Sequence, residues 1–419
     1  MRKMIDSGVE WLGAIPQDWD LVQIISIASY KSEKSSYIGG AYIGLEHIES
    51  GSGKLLADGS QTGIEVDSTV SSFSDTDILF GKLRPYLAKA AKPNFDGQCS
   101  TEILVLNPSS RIQKDFLFWY LLDPAFIDAV NASTYGAKMP RANWNFIGSC
   151  YLPLPPMNMQ TVISSVLNEK FAQVDTLIAN VQAQIEKLKA YKQSVITEVV
   201  TKGLDPTVPM KDSGVEWIGE IPAHWGVTRI KNMFELRNER NDEADLTKVN
   251  LISLYTDLGV VQHSDLTATT GNRAVTAEGY KIVRKNDIVV NIILCWMGAV
   301  GMSQYDGVTS PAYDIYRPLK DTNSEYYHYL FRTNRFNGEC YRYGRGIMMM
   351  RWRTYSTEFR AINIPCPPAE EQKKIVAHLN EKCNKIDQLI AIKQAKIEKL
   401  EQYKRSLIYE YVTGKREVV

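Results

Sequence analysis

The chain has 419 residues, too many for one ordinary hydrophobic core, and this length alone predicts about two to four domains. Hydrophobic residues make up 44% and charged residues 23%, which excludes wholesale disorder, and no apolar run is long enough to cross a membrane. The chain begins without the apolar segment of a signal peptide, and its six cysteines are scattered with no C-x-x-C pair. We therefore expect neither a zinc site nor disulfides, but a reducing, cytoplasmic location. With 48 basic and 48 acidic residues, the chain as a whole is not a strongly basic nucleic-acid binder.

The sequence contains two copies of one unit. DSGVEW stands at residues 6–11 and again at 212–217, and each occurrence is followed by a matched Gly, Ile-Pro and Trp. Near the end of each copy, LPLPPMNMQ (152–160) aligns with IPCPPAEEQ (364–372). The period of about two hundred residues is far longer than a solenoid repeat, so it indicates duplication of a domain-sized module.

The middle of each copy is expected to share a scaffold but to differ in surface residues. Residues 74–89 align with 284–299, and both segments predict strands with alternating side chains around DILF and DIVV. A helix is then predicted over 114–122 in the first copy and over 324–331 in the second. Similar frames with different surfaces suggest two related but distinct ligands.

A long helix is predicted after each double proline, because proline is tolerated in the first turn and neither Gly nor Pro follows until Gly203 and Gly414. About 46 residues of helix extend about 70 Å. Apolar residues recur at spacings of three and four, and IEKLKAYKQS in the first helix matches IEKLEQYKRS in the second. This pattern is typical of a coiled-coil seam. Lys192, Lys393 and Lys404 interrupt the seam, either as side chains that reach solvent or where another protein docks.

One helix of this length cannot bury its apolar stripe alone. The two helices can pack on each other about a pseudo-two-fold axis, and the alternatives are a coiled coil with another protein or separate docking of each helix. The predicted fold is α+β: two globular mixed α/β domains, separated by two long helices that form an antiparallel coiled coil, in a pseudo-two-fold tandem repeat. The predicted globular domains are 1–155 and 205–367, and the predicted spacer helices are 156–204 and 368–415.

Catalytic motifs are missing from the sequence. It has no phosphate-binding G-x-x-x-x-G-K-[ST], no G-x-S-x-G and no H-E-x-x-H, and GSGKLL at 51–56 is expected to be a loop. None of the five histidines has a metal-binding partner at the usual spacing. We therefore assign no catalytic and no metal-binding residue, although carboxylates from distant positions could still meet in the fold.

Basic and aromatic residues are interleaved at the same place in both copies, in STYGAKMPRANW (133–144) and in YRYGRGIMMMRWR (341–353), and again in GKLRPYLAK (81–89). Residues 1–210 contain 18 Lys and Arg against 22 Asp and Glu, whereas 211–419 contain 30 against 26. Arginine binds guanine edges or phosphates, and glycine lets the backbone approach a groove. Each segment could instead pair with acidic neighbours or form a turn on the core, but the repeated position favours DNA. The candidate DNA-binding residues are Lys82, Arg84, Tyr86, Lys89, Tyr135, Lys138, Arg141, Asn143, Arg342, Tyr343, Arg345, Arg351 and Arg353.

Two variable regions, each opened by DSGVEW-x-G-x-IP and followed by P-x-PP-x-x-x-Q and a long helix, resemble the specificity (S) subunits of type I restriction–modification enzymes. The resemblance covers essentially the whole chain and includes the Tyr-Gly…Arg stretch and the helix ends VTKG and VTGK. One departure lies at the first helix, where Met159 precedes Gln160 although Glu371 precedes Gln372 in the second copy.

The resemblance implies a non-catalytic subunit with two target-recognition domains, each reading one half of a bipartite, asymmetric double-stranded DNA site. The helices would be the spacer and the docking surface for two methyltransferase (M) subunits. The M subunits would carry S-adenosylmethionine, restriction (R) subunits would add ATP- and Mg-dependent translocation and cleavage, and this chain would bind no cofactor itself.

Two other functions compete with this interpretation. The first is a coiled-coil adaptor whose globular ends bind proteins rather than DNA. Charge reversal at Arg345 and Arg351 distinguishes the two, because it should abolish readout of one half-site only in a DNA-binding subunit. The second is a stand-alone nuclease or methyltransferase, which the missing motifs disfavour.

Overall fold

The structure is a computed structural model, and it describes residues 2–36, 40–56, 69–136, 138–265, 276–346 and 352–418. Packing divides the chain into two compact units. Unit 1 comprises Met1–Gln182 with Lys393–Val419, and unit 2 comprises Ala183–Ile392. The borders fall inside the two long helices, since each globular region packs with one half of each helix. The division into recognition domains at 1–155 and 205–367 stays a prediction.

Unit 1 is a mixed α/β body. Its strands are β1 (Met4–Asp6), β2 (Ala14–Pro16), β3 (Asp20–Gln23), β4 (Ala28–Lys31), β5 (Ser35–Ser36), β6 (Tyr42–Ile43), β7 (Thr69–Phe73), β8 (Ile78–Gly81), β9 (Ala90–Ala91), β10 (Gly97–Ser100), β11 (Ile103–Pro108) and β12 (Tyr151–Leu154), and its shorter helices are α1 (Lys114–Leu121), α2 (Pro124–Ala132) and α3 (Trp144–Ser149). The strands form two four-stranded sheets, β5-β7-β10-β6 and β4-β11-β8-β9, and the pairs β1-β2 and β12-β3.

Unit 2 repeats the central sheet of unit 1 after the first long helix, α4 (Met157–Lys202), but has strand pairs in place of the second four-stranded sheet. Its strands are β13 (Met210–Asp212), β14 (Glu220–Pro222), β15 (Gly226–Arg229), β16 (Phe234–Arg237), β17 (Ile252–Tyr255), β18 (Gly259–Gln262), β19 (Lys281–Val283), β20 (Ile288–Asn291), β21 (Val300–Met302), β22 (Gly307–Thr309), β23 (Tyr313–Pro318) and β24 (Asn363–Cys366), and its shorter helices are α5 (Ser324–Phe331), α6 (Asn334–Tyr343) and α7 (Ser356–Ala361). The second long helix, α8 (Ala369–Val412), begins in unit 2 and ends in unit 1. The central sheet has the order β16-β23-β20-β21, which matches β4-β11-β8-β9 of unit 1.

The helices predicted over 114–122 and 324–331 are confirmed as α1 and α5. The alternation predicted for the strands around DILF and DIVV is wrong, because β8 and β20 are buried at all four positions. In unit 1, Ile78 and Phe80 face the helices, whereas Leu79 joins a second apolar cluster on the opposite face of the sheet. A strand covered on both faces has no solvent side, so it loses the period-two pattern.

The two long helices pack antiparallel in each unit, as predicted. In unit 1, Lys404 Nζ lies 2.7 Å from Asp175 Oδ1, and in unit 2, Lys192 Nζ lies 2.6 Å from Asp387 Oδ2. Lys192 and Lys404 are equivalent positions of the repeat, so these interruptions of the seam are cross-helix ion pairs. The Lys404 side chain is only 7% exposed and lies 5.0 Å from the centroid of the Phe171 ring. Within the described ranges, no helix is both long and apolar enough to cross a membrane.

A buried glutamine fixes the start of each long helix. Gln160 accepts a hydrogen bond from Gln113 N at 2.8 Å and donates to Pro155 O at 2.8 Å. Gln372 repeats both contacts in unit 2, with Asn323 N at 3.2 Å and Pro367 O at 2.9 Å. The motif P-x-PP-x-x-x-Q therefore joins the start of each long helix to the start of α1 in unit 1 and of α5 in unit 2.

The Met159-for-Glu371 departure has a consequence beside the helix start. In unit 2, the Glu371 carboxylate accepts a hydrogen bond from Trp225 Nε1 at 2.7 Å and lies 2.9 Å from His224 Nε2. The equivalent Trp19 Nε1 in unit 1 is buried and has no hydrogen-bond partner among the described residues. Unit 1 thus lacks one buried hydrogen bond that unit 2 makes.

The repeated block that begins with DSGVEW forms a hairpin, and its Ile-Pro-x-x-Trp part receives the end of a long helix. Gly203 ends α4 against Pro222 and Trp225 of unit 2, and Gly414 ends α8 against Pro16 and Trp19 of unit 1. Both glycines have positive φ, 76° and 70°, which closes a helix without the steric cost of a Cβ. The motif therefore recurs because each copy holds one helix end.

We expect Gly414→Ala to lower stability more than Gly203→Ala. Each change puts a Cβ into the left-handed region, which costs about 1 kcal/mol. At Gly414 that Cβ would also lie 2.6 Å from Pro16 Cδ, whereas at Gly203 its nearest neighbour is Trp225 Cζ2 at 3.3 Å. The overlap should add about 1–3 kcal/mol. Urea unfolding of both variants measures the difference, and equal losses would contradict the close packing at Gly414.

Candidate nucleic-acid interface

In unit 1, the segment 133–144 folds back on itself in front of α3. Tyr135 and Arg141 form a backbone pair, with N–O distances of 3.2 and 3.0 Å. Asn143 then caps α3, because its side chain accepts a hydrogen bond from Phe146 N at 2.9 Å. The start of α3 thus fixes the end of this segment.

The structure brings the predicted segment 81–89 directly beside 133–144. Ala142 N donates to Lys82 O at 2.9 Å, and Arg84 N donates to Pro140 O at 2.8 Å. We call residues 81–89 the first loop; it follows β8 and contains a single turn, Pro85–Leu87. Two segments some fifty residues apart in sequence therefore form one surface at the end of the central sheet.

Four of the candidate side chains on this surface are free to meet a ligand. Arg84 and Lys138 are exposed, and Tyr86 and Tyr135 are more than half exposed. Their guanidinium, ammonium and phenol groups are donors for phosphates and base edges.

The side chains of Arg141 and Lys89, two further candidates, have partners within unit 1. Arg141 forks to the Glu102 carboxylate, with N–O distances of 2.9 and 3.1 Å, and this carboxylate raises the pKa of the guanidinium above its ordinary value. Lys89 Nζ donates to Leu45 O at 2.6 Å, and Lys82 is half-buried. Sequence reasoning did not identify Glu102 as the group that orients Arg141.

Unit 2 has the equivalent backbone pair in front of α7. Arg345 N donates to Arg353 O at 2.8 Å, and Arg353 N donates to Arg345 O at 2.9 Å. The Tyr341 and Trp352 rings stack beside this pair, with centroids 4.9 Å apart. The candidate Arg351 lies outside the described residues.

Carboxylates hold two of the unit 2 arginines. Arg345 lies 2.8 Å from Glu358 Oε1, while its side chain stays 74% exposed. Arg342 lies 3.3 Å from Glu339 Oε1 and 3.6 Å from Glu216 Oε2. Arg353 is exposed, and Tyr343 is half-buried. A carboxylate that leaves its arginine exposed can orient the guanidinium toward a ligand.

Residues 291–299, here called the second loop, occupy in unit 2 the place of the first loop. Thr354 N donates to Ile292 O at 2.8 Å, just as Ala142 N donates to Lys82 O in unit 1. The second loop was missed as a candidate because only basic segments were selected, although the alignment of 74–89 with 284–299 already contained it. Its exposed side chains include Leu294 and Met297.

The surfaces in front of α3 and α7 have a similar chemical composition. They combine cationic and aromatic groups, as nucleic-acid-binding surfaces do. Across the part of the chain that the structure describes, no group of three or more His, Cys, Asp and Glu could hold a metal ion.

Comparison with protein families matches most of the chain to one model. The model for the type I restriction modification DNA specificity domain matches residues 28–187 and 222–402, one match in each copy of the repeat.

Three relatives are named as type I restriction enzyme specificity subunits. The EcoDI subunit of Escherichia coli is 28% identical over 57% of this chain, and the match spans only 49% of that protein, about half its length. The MjaVIII subunit of Methanocaldococcus jannaschii is 23% identical over 96% of this chain and 93% of its own. The putative MjaX subunit of the same organism is 25% identical, over 96% and 95%.

Two solved structures share the fold. A chain from a study of complex assembly and conformational transition of the type I R-M system has a TM-score of 0.71 at 16% identity, covering 96% of this chain and 99% of that one. The HsdS subunit from Thermoanaerobacter tengcongensis has a TM-score of 0.53 at 17% identity, covering 98% and 100%. The family match over both copies agrees with the resemblance seen in the sequence. The chain therefore belongs to the family of type I restriction modification DNA specificity domains.

Proposed function

We propose that this chain is the specificity subunit of a type I restriction–modification complex and that each unit reads one half of a bipartite, asymmetric double-stranded DNA site. The observation that carries the proposal is the repeated surface: a backbone pair that bears arginine, a neighbouring loop and a following short helix occur at equivalent places in both units. The frames match but the side chains differ, which suits two different half-sites.

The long helices suit two copies of one partner, which we propose to be the M subunit. Leu177 and Leu389 are equivalent positions of the repeat, and each is 47% exposed. Tyr191 and Tyr403 are likewise equivalent and largely exposed. Each unit thus presents one such leucine and one such tyrosine on its helix pair, and repeated exposed apolar residues favour protein contacts.

We further propose that R subunits join the complex and that S-adenosylmethionine, ATP and Mg belong to the M and R subunits. The proposed location is the cytoplasm, which the six free cysteines support. The family to which the chain belongs favours the specificity role over a coiled-coil adaptor. The relatives are named specificity subunits, so the chain is not the catalytic subunit.

Mapping of adenine methylation in host cells with and without the gene tests this function. Deletion should remove methylation at one bipartite motif and leave other methylated motifs unchanged. Re-expression of the chain from a plasmid should restore that motif.

A cell that expresses the M subunit but shows no change on deletion would favour the adaptor. Expression of the M subunit therefore has to be verified first, by co-expressing it with this chain in a host free of other methyltransferases. A new bipartite motif should appear only when both chains are present.

A further inference from the structure

The first and second loops hold the same place in their units but have opposite chemistry. The first loop carries Lys82, Arg84 and Lys89, whereas the second loop, NIILCWMGA, carries no basic residue. By the alignment of the two loops, Leu294 takes the position of Arg84. The first loop therefore offers hydrogen-bond donors to a ligand, whereas the second loop offers apolar contacts.

We propose that unit 2 reads its half-site in part through the C5-methyl group of thymine, which Leu294 contacts in the major groove. This inference rests on the proposed function. Unit 1, with Arg84 at the equivalent position, has a donor suited to guanine there instead.

Hydrogen bonds to its backbone hold the part of the second loop that carries Leu294 in one conformation. The buried Asn291 side chain accepts hydrogen bonds from Ile293 N at 3.0 Å and from Leu294 N at 3.3 Å. Leu294 O in turn accepts from Met297 N at 2.9 Å and from Ala299 N at 3.1 Å. Recognition of one methyl group depends on close van der Waals contact, so a preorganised loop is what it requires.

The basic residues near the loop favour DNA as the ligand of this apolar surface. The hydrogen bond from Thr354 N to Ile292 O joins the loop to the residue that follows Arg353, so the loop that carries Leu294 is adjacent to a segment that carries an exposed arginine. A polyanion with apolar groups in its groove complements such a surface. In the major groove of DNA, the thymine methyl is the apolar group that base pairs present.

The experiment uses duplexes in which deoxyuridine replaces each thymine of the methylated motif in turn, bound to the full chain in complex with its M subunit. Deoxyuridine pairs like thymine but lacks the methyl group. At one or more positions of the unit 2 half-site, affinity should fall about threefold to fivefold, the effect of one buried methyl group. Leu294→Ala should lose a similar factor on the thymine duplex and then become indifferent to deoxyuridine at that position.

Leu319→Ala is the matched control, because Leu319 has the same exposed fraction as Leu294, 37%, in the same unit. Leu319 follows the Pro318 end of β23, whereas the second loop starts opposite Tyr313 at the other end of that strand. This variant should keep the affinity and the deoxyuridine effect of the wild type. The unit 2 half-site is identified as the one whose scrambling removes the binding defect of Arg345→Gln.

The outcomes separate this inference from the proposed function. Absence of any motif that depends on the chain would overturn the proposed function itself. A motif that exists, but whose unit 2 half-site holds only G·C pairs or tolerates deoxyuridine at every thymine, would overturn the methyl readout alone. A deoxyuridine effect that persists unchanged in Leu294→Ala would also overturn it.

Discussion

Replacement of Arg345 by glutamate is expected to weaken binding of the complete bipartite duplex about 100-fold, through loss of one half-site. The Arg345 guanidinium is 74% exposed yet held by Glu358, so it is presented to a ligand in a defined orientation. A base or phosphate contact by such an arginine contributes about 1–3 kcal/mol, and the reversed charge adds repulsion from the DNA backbone. Titration of the purified complex with labelled duplexes measures the loss.

Two variants control this experiment. Arg345→Gln leaves out the repulsion and should lose roughly tenfold, while Lys320→Glu makes the same change of charge just after the Pro318 end of β23 and should bind as the wild type does. Thermal unfolding identifies any variant that fails because it no longer folds. If Arg345→Glu and Lys320→Glu weaken binding equally, the effect is one of overall charge, and the assignment of this surface to DNA is wrong.

Replacement of Asp123 by asparagine is expected to stabilise unit 1 at pH 8 and to remove much of the pH dependence of its stability. Asp123 precedes α2, is fully buried, and has both carboxylate oxygens without a hydrogen-bond partner among the described residues. Burial raises the pKa of this carboxyl to about 7; the Lys415 ammonium offsets part of the effect, whereas the Asp128 carboxylate adds to it.

The sign of this effect follows from proton linkage. The folded-state pKa of about 7 lies above the unfolded value of 3.8, so the folded chain binds the extra proton between these pH values. Stability from this group is therefore present in full below about pH 4 and is lost as the pH rises through 7. The loss above pH 7 is on the order of 4 kcal/mol, and the isosteric asparagine avoids it.

Hydrogen exchange of the α2 amides between pH 5 and pH 8, corrected for the intrinsic rate, measures this local stability. Unit 2 supplies the matched position, because Thr333 precedes α6 and its side chain accepts a hydrogen bond from Phe336 N at 3.3 Å. Asp123→Thr should protect α2 at pH 8, and Thr333→Asp should give α6 the same decline with pH. If the protection of the α2 amides changes with pH in the same way in wild type and Asp123→Asn, the Asp123 carboxyl does not have the raised pKa.

The parts of this protein that the sequence predicted well are those written in local patterns. The duplication was visible because DSGVEW and P-x-PP-x-x-x-Q recur, and these segments hold the hairpins, helix starts and helix ends that both units need. The long helices could be predicted because apolar residues at spacings of three and four, without Gly or Pro between them, are typical of a helix in a coiled coil. The family resemblance followed from the order of these local patterns.

The interface was predicted only in part, because its residues depend on contacts between distant segments. Hydrogen bonds join the first loop to the segment 133–144, which is about fifty residues away in the sequence. The sequence of neither segment predicts this contact. The same holds for the second loop, which carries no basic residue in the sequence and yet presents Leu294 at the surface beside the segment of Thr354.

The sequence by itself determined that this chain is a duplicated module with two long helices and a basic segment before each helix. Only the tertiary structure decided which of its arginines are held by carboxylates, as Arg141 is by Glu102, and which, like Arg84, remain exposed. It also decided that Lys192 and Lys404 form ion pairs across the helices. The physical reason is that secondary structure and repeats follow from neighbours along the chain, whereas the availability of a charged side chain depends on which carboxylates the fold brings within about 4 Å of it.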